Sequence, residues 1–172
     1  MSNQFRFSSG LFFKGLISDL LFTAGSFDST NEQQPYSNKA EMFSFSKNEW
    51  ITIADYPFSK QLYLAPVLYK FDSFFVFGGY TGRSSTDIVR FSLKTETWIF
   101  AGALNHQRHG HGVIGSGSGF LVVGGYGKPR TLPTEKCHIN TNDEVECVTQ
   151  KPKLYYYLHY PEMFHVSENF CM

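Results

Sequence analysis

Three times along this chain an apolar run ends in a pair of small residues: Leu20-Leu21-Phe22-Thr23-Ala24-Gly25, Phe74-Phe75-Val76-Phe77-Gly78-Gly79 and Phe120-Leu121-Val122-Val123-Gly124-Gly125. The final glycines are 54 and 46 residues apart, a period that belongs to stacked repeat architectures. Counting back from each pair without a gap aligns a second apolar stretch, Leu11-Phe12-Phe13, Ala65-Pro66-Val67-Leu68 and His111-Gly112-Val113-Ile114. Each copy therefore opens as a β-hairpin. Beyond each pair come a variable polar loop, an alternating strand, a short turn and a bulky residue. Glu41-Met42-Phe43-Ser44-Phe45 leads to Trp50, and Asp87-Ile88-Val89-Arg90-Phe91 leads to Trp98, 48 residues later. The third copy runs Glu135-Lys136-Cys137-His138-Ile139, turns at 140–143, and returns as Val145-Glu146-Cys147, with cysteine near the place of the tryptophan.

A four-stranded unit of roughly 50 residues cannot bury both of its faces alone, so it must stack on copies of itself, and radial stacking gives a propeller. The reading is an all-β chain of about three four-stranded antiparallel units, over 1–57, 58–104 and 105–152, with a C-terminal strand and tail over 153–172. Composition agrees: 18 Phe, 10 Tyr and 15 Gly with only 17% charged residues favour pleated surfaces and tight turns over amphipathic helices. A β-sandwich would also give many short strands. It would not repeat Gly25, Gly78-Gly79 and Gly124-Gly125 together with Trp50 and Trp98 at matched positions.

On these residues the chain resembles the kelch-repeat family, whose blades carry a double glycine after the second strand and an aromatic followed by a tryptophan. Phe77-Gly78-Gly79-Tyr80 with Phe91 and Trp98 matches best, and Val123-Gly124-Gly125-Tyr126, preceded by Arg108 and His111, matches in its first half. The first copy departs, with Ala24 in the place of the first glycine and an outer turn about two residues shorter. The segment from Leu154 to Val166, with its Tyr-Pro-Glu at 160–162, looks like the C-terminal strand of a group of invertebrate kelch-repeat proteins that also carry paired cysteines. That resemblance implies an animal protein related to secreted forms. It also places His111 near a central channel, where hydrogen bonding to neighbouring blades is the expected role.

If the third outer hairpin turns near Thr141 to Asp143, Ile139 pairs with Val145 and the sulfurs of Cys137 and Cys147 become cross-strand neighbours. A disulfide would then replace the tryptophan plug in an oxidising compartment; two packed thiols are the reading in a reducing one. His109 and His111, with His106 nearby, are two apart as on one strand face. No carboxylate or cysteine joins them at a metal-ligand spacing, and no metal is assigned. Some kelch-like propellers host a copper-radical site of tyrosines and histidines, and Tyr155, Tyr156, Tyr157, His159 and Tyr160 supply those types. One strand cannot wrap a metal, so the galactose-oxidase-like enzyme is kept only as an alternative, and no catalytic residue or cofactor is assigned. Gly115-Ser116-Gly117-Ser118-Gly119 lacks the lysine and helix of a phosphate loop and reads as a hairpin turn.

Fifteen basic residues balance fifteen acidic ones, which disfavours nucleic acid, and no apolar run reaches the length of a membrane helix. The expected function is a non-enzymatic binding module for a protein partner, with a glycan as the alternative ligand. Its contact face lies on the loops that leave the glycine pairs, Ser26–Lys39, Thr81–Thr86 and Tyr126–Thr134, with Tyr80, Arg83, Tyr126, Lys128 and Arg130 as the contact residues. Three blades would leave two sheet edges open, so further blades or self-association are expected to complete the ring. The N-terminus has no secretory apolar core, which implies a cytoplasmic chain, or an extracellular one whose true start lies upstream.

Overall fold

The computed structural model describes residues 6–15, 18–27, 36–57, 64–80 and 82–151. All regular structure among them is β. Strands β1 (Arg6–Gly15), β2 (Ser18–Phe27), β3 (Tyr36–Ser44) and β4 (Glu49–Thr52) form an antiparallel sheet in sequence order. The pattern recurs in β5 (Val67–Lys70), β6 (Ser73–Phe77), β7 (Ser85–Ser92) and β8 (Thr97–His109). A third unit contains β9 (Gly112–Ser116), β10 (Gly119–Val123), β12 (Glu135–Ile139) and β13 (Val145–Thr149); the two-residue β11 (Tyr126–Gly127) leaves it to pair with β8. Glycines 115 to 119 straddle the β9–β10 hairpin turn, as their context requires.

Each strand alternates its side chains between two faces, and the register makes the alternation repeat from unit to unit. One cross-strand row reads Leu21, Phe43, Trp50 in the first unit, Phe74, Phe91, Trp98 in the second and Phe120, Cys137, Cys147 in the third. This row forms the leading face. The opposite, trailing row reads Phe22, Met42, Ile51, then Phe75, Arg90, Ile99, then Leu121, Lys136, Val148. Units stack leading face on trailing face. Phe74 lies on Phe22 with ring centroids 4.3 Å apart, and Phe120 lies 5.0 Å from Phe75. These contacts centre two cores, one between the first and second units and one between the second and third. Each fully buried phenylalanine contributes roughly 1.5–3 kcal/mol of burial.

These rows correct two details of the sequence alignment. Phe43, not Phe45, pairs with Trp50, just as Phe91 pairs with Trp98, so the outer turns of the first two units are equally long. In the first unit the ungapped alignment is one residue out. Phe22 faces the second unit, as Phe75 faces the third, which puts Gly25 (φ 71°) at the place of Gly78 (φ 56°) and Gly124 (φ 70°). A shift between Ala24 and Ser26 in the β2–β3 register absorbs the difference. A slip of one residue exchanges the faces of a strand, so burial of Phe22 decides the register where the small-residue pair does not.

The second and third units are also joined through a short parallel ladder, Val145 to Gly102 and Glu146 to Ala103. Gly102 (φ 152°) permits it, because a Cβ there would overlap the Val145 carbonyl oxygen. β8 thus runs unbroken across the expected unit boundary at 104/105. The expected C-terminal strand over 153–172 lies outside the described residues.

Candidate functional site

Two of the three variable loops meet at the end of β8. The turn after Gly79 is closed by a bridge between Tyr80 and Ser84, and Ser85 pairs with Arg108. The loop after Gly125 begins with β11, in which Tyr126 pairs with His109 and Gly127 with Arg108. Arg108 and His109 are therefore flanked by both loops.

Arg108 holds this junction from below. Its carbonyl oxygen accepts from the Gly79 N–H at 2.9 Å, and a Cβ on Gly78 (φ 56°) would come within 2.5 Å of that same oxygen, so the approach requires glycine. Its guanidinium donates to the Gly124 carbonyl at 3.0 Å, the Pro133 carbonyl at 2.9 Å and Glu135 Oε1 at 2.5 Å. One residue thus ties together the two glycine turns from which the loops depart, the first through its carbonyl and the second, with the far end of its loop, through its guanidinium. Glu135 accepts in turn from the backbone N–H groups of Asn105, at 2.6 Å, and His106, at 3.1 Å. Both members of the pair are fully buried. Burial lowers the Arg108 pKa and the Glu135 carboxylate opposes it. Two desolvated charges persist here because nearly every donor and lone pair has a partner.

Above this network the side chains of β8 and the loops form an aromatic stack. The His109 ring lies parallel to Tyr126 (interplanar angle 16°), with centroids 5.2 Å apart, and 5.0 Å from Tyr80 on its other contact; its Nδ1 is 2.9 Å from Ser84 Oγ. Tyr126 is exposed and Tyr80 half-buried. Arg83 lies exposed in the first turn, and Lys128 and Arg130 lie exposed in the second. The two expected tyrosines are thus brought together, and the three cations occupy the turns beside them. The second loop is less open than expected, since β11 occupies its start and Leu132 and Pro133 are buried. Residues 28–35 of the loop after Gly25 lie outside the described residues, as does Thr81 of the loop after Gly79.

The histidines do not share a face. The chain turns between them at Gly110 (φ 58°), whose N–H donates to the Leu64 carbonyl, so His109 goes to the rim stack and His111 into the interior. His111 is buried against the glycine turns, with its Cε1 near Gly78 and its Cβ near Gly125. Neither of its ring nitrogens has a hydrogen-bond partner among the described residues, which departs from the expected inter-blade role. Burial, then Arg108, then His109 hold its pKa well below the usual histidine value.

Cys137 and Cys147 are directly opposed in the β12–β13 register and form a disulfide. They take the row positions of Phe91 and Trp98. Trp98 packs on Phe91 (5.1 Å), Tyr56 (5.1 Å) and Phe22 (5.9 Å) and donates from Nε1 to the Ala54 carbonyl at 2.7 Å. Trp50 packs on Phe43 at 5.2 Å but is 53% exposed. The residues from Tyr155 to Tyr160 considered for copper lie outside the described residues.

Two residues that build this junction were not among the expected contact set. His109, considered only as a metal ligand, is the ring that joins the two tyrosines. Glu135 carries a legible signal: in Glu135-Lys136-Cys137-His138-Ile139 it lies on the strand face of the buried cysteine, and a carboxylate there requires a buried cation.

No family model matches the chain, and no curated protein does. Among solved structures, that of YjhT superposes with a TM-score of 0.67 at 15% identity, covering 84% of this chain and 46% of that one. The likeness is one of fold, and its type is the β-propeller. The chain spans less than half the length of that structure.

Proposed function

We propose that this chain is part of a kelch-type propeller, about three blades long, and serves as a non-enzymatic module that binds a protein partner on the Tyr80–His109–Tyr126 face. The observation that carries this reading is the junction itself: two loops leave glycine turns pinned by one buried arginine and present stacked rings beside exposed cations. Rings held by a rigid frame lose little conformational entropy on binding, and tyrosine and arginine are the side chains that dominate protein interfaces. The two turns, 80–84 and 126–131, carry Arg83, Lys128 and Arg130 and no carboxylate, so the complementary partner segment is acidic.

Peptide display on the immobilised chain tests the reading. Acidic segments bearing an apolar or aromatic residue should be enriched, and combined Arg83→Glu and Lys128→Glu substitution should abolish that enrichment without changing the unfolding midpoint. Selection of the same peptides by the variant would overturn it. A glycan ligand would appear instead as retention on a glycan array that Tyr126→Ala removes.

A further inference from the structure

We propose that the leading face of the first unit, centred on Trp50, is a docking surface for a second copy of this chain, which presents the trailing face of its third unit. The internal repeat shows what a leading face of this kind meets. In the second unit Trp98 sits against the first unit's trailing face, where Phe22 and the Ala54 carbonyl receive it. In the third unit Cys147 holds the same row position and packs against the core shared with the second unit. Trp50 stands third in this series, in the same register opposite Phe43. Yet it is 53% exposed, and Phe45 beside it, edge-on to Phe43 at 5.0 Å, is 38% exposed. An aromatic cluster of this size at a register position that is covered twice elsewhere in the chain marks an interface.

The chain itself carries the complementary surface. The trailing row of the third unit is Leu121, Lys136 and Val148, and Val148 is 57% exposed. This row corresponds to Phe22, Met42 and Ile51 of the first unit, of which Phe22 and Met42 belong to the core that receives Trp98. The trailing row of the second unit adds an electrostatic precedent: Arg90 reaches forward to Asp143, 3.0 Å away in the outer turn of the third unit. Lys136 stands where Arg90 does, and the outer turn of the first unit leads into Glu49, which opens β4 and lies 3.9 Å from Lys47 of that turn. A head-to-tail contact of this kind uses two different patches, so each copy offers one of each.

The test is the mass of the full chain by sedimentation at micromolar concentration, for the wild type and for Trp50→Asp and Val148→Asp separately. The wild type should self-associate, and each substitution should weaken association at least tenfold. Because the patches differ, an equimolar mixture of the two variants retains one intact Trp50 face and one intact Val148 face. The mixture should therefore associate where neither variant does alone, an outcome that misfolded variants cannot produce. A monomeric wild type overturns the proposal, as does self-association indifferent to both substitutions or a mixture that stays monomeric.

Discussion

Arg108 and Glu135 show how a single buried pair fixes a surface. The guanidinium bonds carbonyls at 124 and 133, its own carbonyl holds Gly79, and the carboxylate holds the backbone at 105 and 106. Removing one charge leaves the other buried without compensation, which typically costs about 3–5 kcal/mol. Glu135→Gln should lower stability by about that amount in urea unfolding. Its loss should also disorder the Tyr126 loop before the core opens, visible as earlier amide exchange over 126–131 than over β10. His111 is the opposite case, a polar group whose burial opposes stability. Its folded pKa lies below the unfolded value of about 6.5, so the unfolded chain takes up the proton first. The sign follows: the stability associated with neutral His111 is complete above about pH 6.5 and is lost as pH falls from there toward the folded pKa. His111→Leu should flatten this acid limb between pH 6.5 and 5 and leave stability at pH 7.5 unchanged or higher, since both orphaned ring nitrogens are removed. A steeper acid limb in the variant would refute this.

At the scale of elements, the repeat was legible because strands alternate with a period of two and glycine is required where the chain leaves each second strand. Gly78-Gly79 and Gly124-Gly125 mark those points in sequence and structure alike. The first unit was misaligned by one residue for a physical reason: Ala24-Gly25 imitates a glycine pair, whereas the register is set by which face Phe22 must bury. The Cys137–Cys147 register was readable from the hairpin turn, but the outward turn at Gly110 was not, so two histidines that look like strand neighbours separate to rim and core. Tyr80 and Tyr126 could be placed beside each other at the loop starts from their position after the glycine pairs. The histidine between them could not, because it reaches the site through the pairing of β11 with β8, a tertiary contact with no local signature. The disulfide closes a hairpin of sequence separation 10, for which loop closure implies roughly 2.5–3 kcal/mol. Replacing Cys137 and Cys147 together by serine should lower the unfolding free energy by about that much, measured against the oxidised wild type, and a loss below about 1 kcal/mol would show that the β12–β13 ladder holds the hairpin without it.

Across the whole molecule the two unit interfaces are built differently, and this should govern how the chain opens. The second and third units share one sheet through the Gly102–Val145 ladder, the Arg90–Asp143 ion pair and hydrogen bonds from Lys70 to the carbonyls of Gly117 and Gly119. The first unit is a separate sheet, joined to the second, among the described residues, through side-chain packing around Phe22, Phe74 and Trp98 and an indole hydrogen bond to the Ala54 carbonyl. In stacked repeats stability is close to a sum of unit and interface contributions, so the weaker interface sets the boundary of cooperative opening. Amides in β6, β7, β10 and β12 should therefore exchange together, while those of β2 and β3 exchange faster. Trp98→Ala removes the aromatic plug at that boundary and should cost about 3–5 kcal/mol of the first unit's protection while leaving β10 and β12 near their original rates. Trp50→Ala, at the same register position but 53% exposed and without a covering unit among the described residues, should change protection in the monomer by less than about 1 kcal/mol. Equal losses in the two variants would mean that position in the repeat, not the surface it meets, decides what a tryptophan contributes.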